Sequence, residues 1–184
     1  MKVSVLICDK GTANPQQGTL NLLNVGWVQT QLGLNPAVPG SLLTPPHAVA
    51  VFFEVEHAYC NRPIELVLTL EDEDGRVVSM PGPTGPQEIR LVSAVTVGSP
   101  AMASLGTPGA GNALVEIMPG LLVPPGAYRW NVSLAGEHHE EWFGAFRVLP
   151  PPQMPMFSFA PTTQPTPPPP DDEPAGETEE PGSG

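Results

Sequence analysis

His47-Ala48-Val49-Ala50-Val51-Phe52-Phe53-Glu54-Val55-Glu56 and Ile64-Glu65-Leu66-Val67-Leu68-Thr69-Leu70 decide the fold. In each stretch every second residue is large and apolar. Val49, Val51, Phe53 and Val55 form one such row, and Ile64, Leu66, Leu68 and Leu70 form the other. A period of two places each row on one face of a strand. β-branched and aromatic residues fit that pleated, half-buried surface. Two strands with one apolar face each must share a core with other strands.

The pattern continues in both directions. Asp74-Gly75 turns the chain into Val77-Val78, a hairpin signal. Residues 88–97, 113–118, 127–134 and 141–149 read as strands, the last two flanking the turn Ala135-Gly136-Glu137. Upstream, residues 2–8 and 19–30 read as strands, with Gly26 placed to bulge or split the longer one. The first segment follows Met1 directly, so no cover is expected on its amino side. The expectation is an all-β, antiparallel sandwich of about eight strands over residues 1–149. Long loops are expected at 33–46, 80–87 and 98–112. An eight-stranded barrel is the alternative closure.

Composition agrees. The chain has 26 prolines and 19 glycines in 184 residues, which excludes helical bundles and coiled coils. Twelve of those prolines fall in residues 150–184. That segment is expected to be a disordered, Pro-rich acidic tail, because it cannot bury enough apolar area to offset its ordering entropy. One apolar island, Met154-Pro155-Met156-Phe157-Ser158-Phe159, interrupts it.

Nineteen acids against seven Lys and Arg give a net charge of −12. Such a chain repels phosphate, so nucleic acid and anionic membrane are not expected partners. Two cysteines, Cys8 and Cys60, make no disulfide framework. The opening residues lack the long apolar run of a secretion signal, and no run reaches the length of a membrane span. A soluble, cytoplasmic protein with free thiols is expected, and Asn131-Val132-Ser133 reads as strand rather than glycosylation site.

Three blocks carry a resemblance. They are Leu6-Ile7-Cys8-Asp9 with Gly18-Thr19-Leu20-Asn21-Leu22-Leu23 and Gly26-Trp27, then Asn61-Arg62-Pro63 leading to Glu71-Asp72-Glu73-Asp74-Gly75, then Pro125-Gly126-Ala127-Tyr128 through Phe146-Arg147-Val148. Over about residues 1–149 the chain resembles a family of small bacterial immunoglobulin-like β-sandwich domains with no assigned activity. The resemblance implies an immunoglobulin-like fold and no catalytic signature.

Each candidate for chemistry has a plainer reading. Glu137-His138-His139-Glu140-Glu141 offers zinc ligands or an acid–base pair. In a regular strand His138 and Glu140 share one face, and His139 and Glu141 the other. A solvated hairpin rim is the favoured reading. Glu71-Asp72-Glu73-Asp74 before Gly75 offers calcium ligands, but it lacks the EF-hand spacing and reads as an acidic turn. Cys8 beside Asp9 has no base assigned to it and reads as a buried strand cysteine. Trp27 and Trp130 lie in apolar strands, which leaves Trp142 as the tryptophan expected to be exposed and able to stack a sugar ring. Gly106 to Asn112 has glycines but no lysine and no helix after it, so it is no phosphate loop.

No catalytic set, metal site or cofactor site emerges. The expected function is a non-catalytic protein-interaction or structural module, with an unknown protein partner or a homo-oligomer. Met154, Met156, Phe157, Phe159 and Trp142 are the candidate contact residues. A sugar or small-ligand module, or a phage virion or assembly component, is the alternative.

Overall fold

The computed structural model describes residues 1–14, 17–82, 85–99 and 107–152. Among them the chain forms β1 (Lys2–Asn14), β2 (Thr19–Val25), β3 (Gln29–Gln31), β4 (Gly33–Leu34), β5 (Leu42–Leu43), β6 (His47–Val55), β7 (Pro63–Asp72), β8 (Ser79–Gly82), β9 (Gly85–Glu88), β10 (Arg90–Thr96), β11 (Gly109–Ile117), β12 (Gly126–Leu134) and β13 (Glu137–Leu149). A single 3-10 turn, His57–Tyr59, joins β6 to β7. The all-β expectation holds. The strand count among the described residues is thirteen rather than about eight, because the supposed loops contain the ribbons β4–β5 and β8–β9 and the 19–30 segment divides into β2 and β3. Their strands run two to four residues, too short for periodicity to show.

One sheet has the order β11-β6-β1-β2 and the other β10-β7-β12-β13-β3. The pairing is not purely antiparallel, which corrects the sequence reading. β3 runs parallel to β13, with Gln29, Thr30 and Gln31 opposite Arg147, Val148 and Leu149. Parallel neighbours require a crossover, and here the chain leaves β2 in the first sheet to reach β3 in the second. Gly26, at φ 78°, splits the long 19–30 segment at that departure.

The apolar rows face each other. Val49, Val51, Phe53 and Val55 of β6 pack with Ile64, Leu66, Leu68 and Leu70 of β7 in one core, joined by Trp130 and Val132 of β12 and Phe146 and Val148 of β13. Each fully buried aliphatic or aromatic side chain contributes about 1.5–3 kcal/mol relative to exposure. Ala135 and Gly136, at φ 54° and 80°, form the tight turn between β12 and β13.

β1 stands between β6 and β2 but along different halves, so Lys2 to Leu6 have a strand on one side alone among the described residues. Residues Lys2 to Cys8 pair with β6, and Cys8 to Asn14 pair with β2. The second half and β2 form an arm laid over the outer face of the sheet. At Gly11 a Cβ would stand 2.6 Å from Leu114 Cδ1 and 3.0 Å from Leu22 Cδ2. Asn112 Nδ2 donates to the Gly18 carbonyl at 2.7 Å, fixing the tip of the arm. Ala48 and Ala50, which point to the side of β6 opposite the apolar row, are therefore also buried.

Candidate functional site

The ionisable cluster 137–141 lies where β13 departs from regular pairing. Leu134 is opposite Glu137 and Ser133 opposite His138, but Asn131 is opposite Phe143. One residue of β12, Val132, therefore faces four of β13, His139 to Trp142. The bulge inserts three extra residues. An odd insertion exchanges the two faces of a strand. Continued from the hairpin without it, the register would turn Glu141 and His139 toward Trp130 and Val132 and leave Trp142 outside. Burying a carboxylate unpaired is costly, and burying an indole is favourable.

The consequence is a correction. Trp142, expected to be exposed, is 5% exposed and belongs to the core. The His139 ring covers it at 4.5 Å between centroids. The half-exposed aromatic residue of this stretch is Phe143, at 39%. The expected division of faces also fails: His138, His139 and Glu140 all line one groove.

That groove, about 710 Å³, crosses the outer faces of β7, β12 and β13. Thr69, Asn131 and Ser133 form its floor, because they alternate with the buried residues of their strands. Arg129 closes one end, with Nε and Nη2 at 3.0 and 2.7 Å from Glu71 Oε2. Beyond the bulge a second groove of about 650 Å³ runs between His139 to Trp142 and the opening residues Met1 to Ser4. Both grooves are open and offer hydrogen-bond donors and acceptors rather than an enclosed reaction chamber.

The acidic turn uses its own carboxylates. Asp72 Oδ1 accepts from the backbone N–H groups of Asp74 and Arg76, at 3.0 and 2.9 Å. Asp74 pairs with Arg76 at 3.0 Å, and Glu71 with Arg129. Among the described residues no group of three or more His, Cys, Asp or Glu is placed to hold a metal ion.

Cys8 is fully buried and directs its Sγ toward the Ala48 carbonyl at 3.6 Å. Burial, and then the charge of Asp9, push its thiol above the usual range. That is the opposite of what a nucleophilic thiolate needs. Cys60 is also free. His47, which the sequence offers only as a histidine with nothing to place it beside Cys8, is 2% exposed. Its Nδ1 lies 3.1 Å from the Pro45 carbonyl, and its ring meets Trp27 edge-on at 5.6 Å. His47 Nε2 and Trp27 Nε1 are buried with no hydrogen-bond partner among the described residues. The one available signal was position, since His47 opens an otherwise apolar row.

Met154, Met156, Phe157 and Phe159 lie outside the described residues. The last described residues are tied to β3, where Gln31 Nε2 donates to the Pro150 carbonyl at 3.1 Å. No helix among the described residues is long and apolar enough to cross a membrane.

Fold and site together define an all-β protein of two curled sheets around one core, with a polar, open surface at a β13 bulge. No family model, curated protein or solved structure matches the chain.

Proposed function

We propose that the chain is an immunoglobulin-like sandwich serving as a non-catalytic protein-interaction or structural module. The strand orders support the fold. β11-β6-β1 corresponds to strands E-B-A of such sandwiches, and β10-β7-β12-β13 to C′-C-F-G. Tyr128, near the start of β12, donates its Oη to the Pro124 carbonyl at 2.8 Å, the tyrosine-corner arrangement. The resemblance to small bacterial sandwich domains points the same way.

The observation that carries the interaction reading is the apolar island Met154 to Phe159, set in a Pro-rich acidic segment that begins at Pro150. Proline-rich segments and short apolar stretches are recurrent recognition elements, docking in aromatic grooves or adding to sheet edges. The partner is then a protein with an apolar groove. The test is affinity capture from the native host with the full chain and with a Phe157→Ser/Phe159→Ser variant. A partner held by the first and lost by the second supports the reading. A partner held equally by both moves recognition to the sandwich, and no stoichiometric partner in either overturns it.

The second reading is a sugar or small-ligand module. It draws on the hydrogen-bonding floor of the larger groove, Thr69, Asn131 and Ser133. With Trp142 inside the core, that groove lacks a tryptophan platform. Calorimetry with mono- and oligosaccharides tests it, and loss of any measured binding in Asn131→Ala would locate the ligand.

A further inference from the structure

We propose that the outer edge of β10 pairs with a second copy of this chain, antiparallel, about a two-fold axis at Val92. Four strands end the two sheets, and three of them are guarded; the one-sided start of β1 carries Lys2 and lies beside the β13 bulge. β3 is three residues long. β2 runs into Asn24 and Gly26, both at positive φ, which turn the chain away. β11 has its outer face under the β1–β2 arm at Leu114 and Asn112, and carries Gly109, Gly111 and the charge of Glu116 along its length. β10 is seven residues long and, among the described residues, pairs with β7 alone. From Leu91 to Val97 it contains no charge, no proline and no glycine. Native edges normally carry such guards against strand addition.

Symmetry and charge argue for a second copy as the occupant. Val92 is 60% exposed. A two-fold axis through it sets Val92 against its own copy, covering the largest apolar side chain of the outward row. The same register places Leu91 opposite Ser93 and Arg90 opposite Ala94. Arg90 is exposed and has no ion-pair partner among the described residues. Ala94 is too short to screen it. Directly behind Ala94, on β7, stands the exposed Glu65. Arg90 of each copy thus meets Glu65 of the other, giving two pairs of opposite charge in one dimer. For a chain of net charge −12 such pairs offset the general repulsion between copies. An edge-to-edge contact buries less than about 1,200 Å², the class of weak, reversible association. A dissociation constant in the micromolar range is therefore expected.

The test is sedimentation velocity of the full chain across a concentration series. A reversible monomer–dimer equilibrium is expected, weakened at least about tenfold by Val92→Lys. Arg90→Glu alone weakens the dimer, and adding Glu65→Arg restores it. In a Cys60→Ser background, Val92→Cys forms a disulfide-linked dimer on mild oxidation, because opposed Cβ atoms lie about 4.5–5.5 Å apart. Ala94→Cys does not. Glu65, Arg90, Val92 and Ala94 are exposed and Cys60 is half-buried, and circular dichroism with thermal melts verifies that each variant folds. A wild-type chain that stays monomeric at every concentration overturns the proposal. So does a dimer indifferent to Val92→Lys, or a charge swap that fails to restore. The Phe157→Ser/Phe159→Ser variant keeps the dimer, which separates this proposal from the tail-based reading.

Discussion

Tyr128 reaches back four residues and donates its hydroxyl to the Pro124 carbonyl at 2.8 Å, pinning the start of β12 to the loop that feeds it. Its ring meanwhile packs on Phe146 of β13 at 5.8 Å. Tyr128→Phe keeps the ring and deletes the hydrogen bond. It is expected to cost about 0.5–1.5 kcal/mol in urea unfolding, with an unchanged m-value. A loss within error would show that the corner bond is replaced by water.

Gly11 is where the arm touches the sheet, with both methyls of Leu114 within 2.7 Å of the point a Cβ would occupy. Gly11→Ala turns those methyls, the free ends of half-buried leucines, aside and is expected to destabilise by about 1 kcal/mol. Leu114→Ala in the same chain should recover part of that loss. A double-mutant cycle measures the coupling, and a coupling of zero would mean that the arm is not held at this contact.

Gly120, at φ 137°, has the Thr44 carbonyl where a Cβ would go. That carbonyl cannot swing away. Thr44 N donates to the Leu121 carbonyl at 3.0 Å, and Leu121 N to Thr44 Oγ1 at 2.9 Å. Gly120→Ala is expected to cost more than about 2 kcal/mol. Gly40→Ala, also at positive φ but with open space around it, should cost only the backbone strain, about 1–2 kcal/mol. Paired thermal melts separate the two.

Burial holds the pKa of His47 below its usual 6.5, against smaller upward pulls from the Pro45 carbonyl and the charge of Asp9. The unfolded chain therefore takes up this proton at a higher pH than the folded one. The stability tied to neutral His47 is complete above the unfolded pKa. It falls as pH drops below that value and levels off under the folded pKa. The slope reaches at most about 1.4 kcal/mol per pH unit. Urea melts between about pH 7 and pH 5 should show less loss in His47→Gln than in the wild type. Equal slopes would refute the assignment.

Much of the architecture was legible before folding. The rows Val49 to Val55 and Ile64 to Leu70 lie on the faces that their period of two assigns. Ala135-Gly136 forms its tight turn, and Gly26 splits its segment. These features depend on neighbours within a few residues, where side-chain alternation and positive φ are local properties. The candidate site was legible only in composition. His138, His139 and Glu140 were recognised as a cluster, but their face and that of Trp142 were misread.

Alternation and turn residues already specify that this protein is built of strands, where several of them turn, and which two apolar rows face the core. Long-range pairing sets the three-residue bulge of β13, the arm that β1 lays over its own sheet, the parallel joining of β3 to β13, and the long edge of β10. The reason is the range of the forces. Alternation and turn chemistry act along the chain, whereas register is set by which partner strand offers Trp142 a core and leaves Glu141 in water.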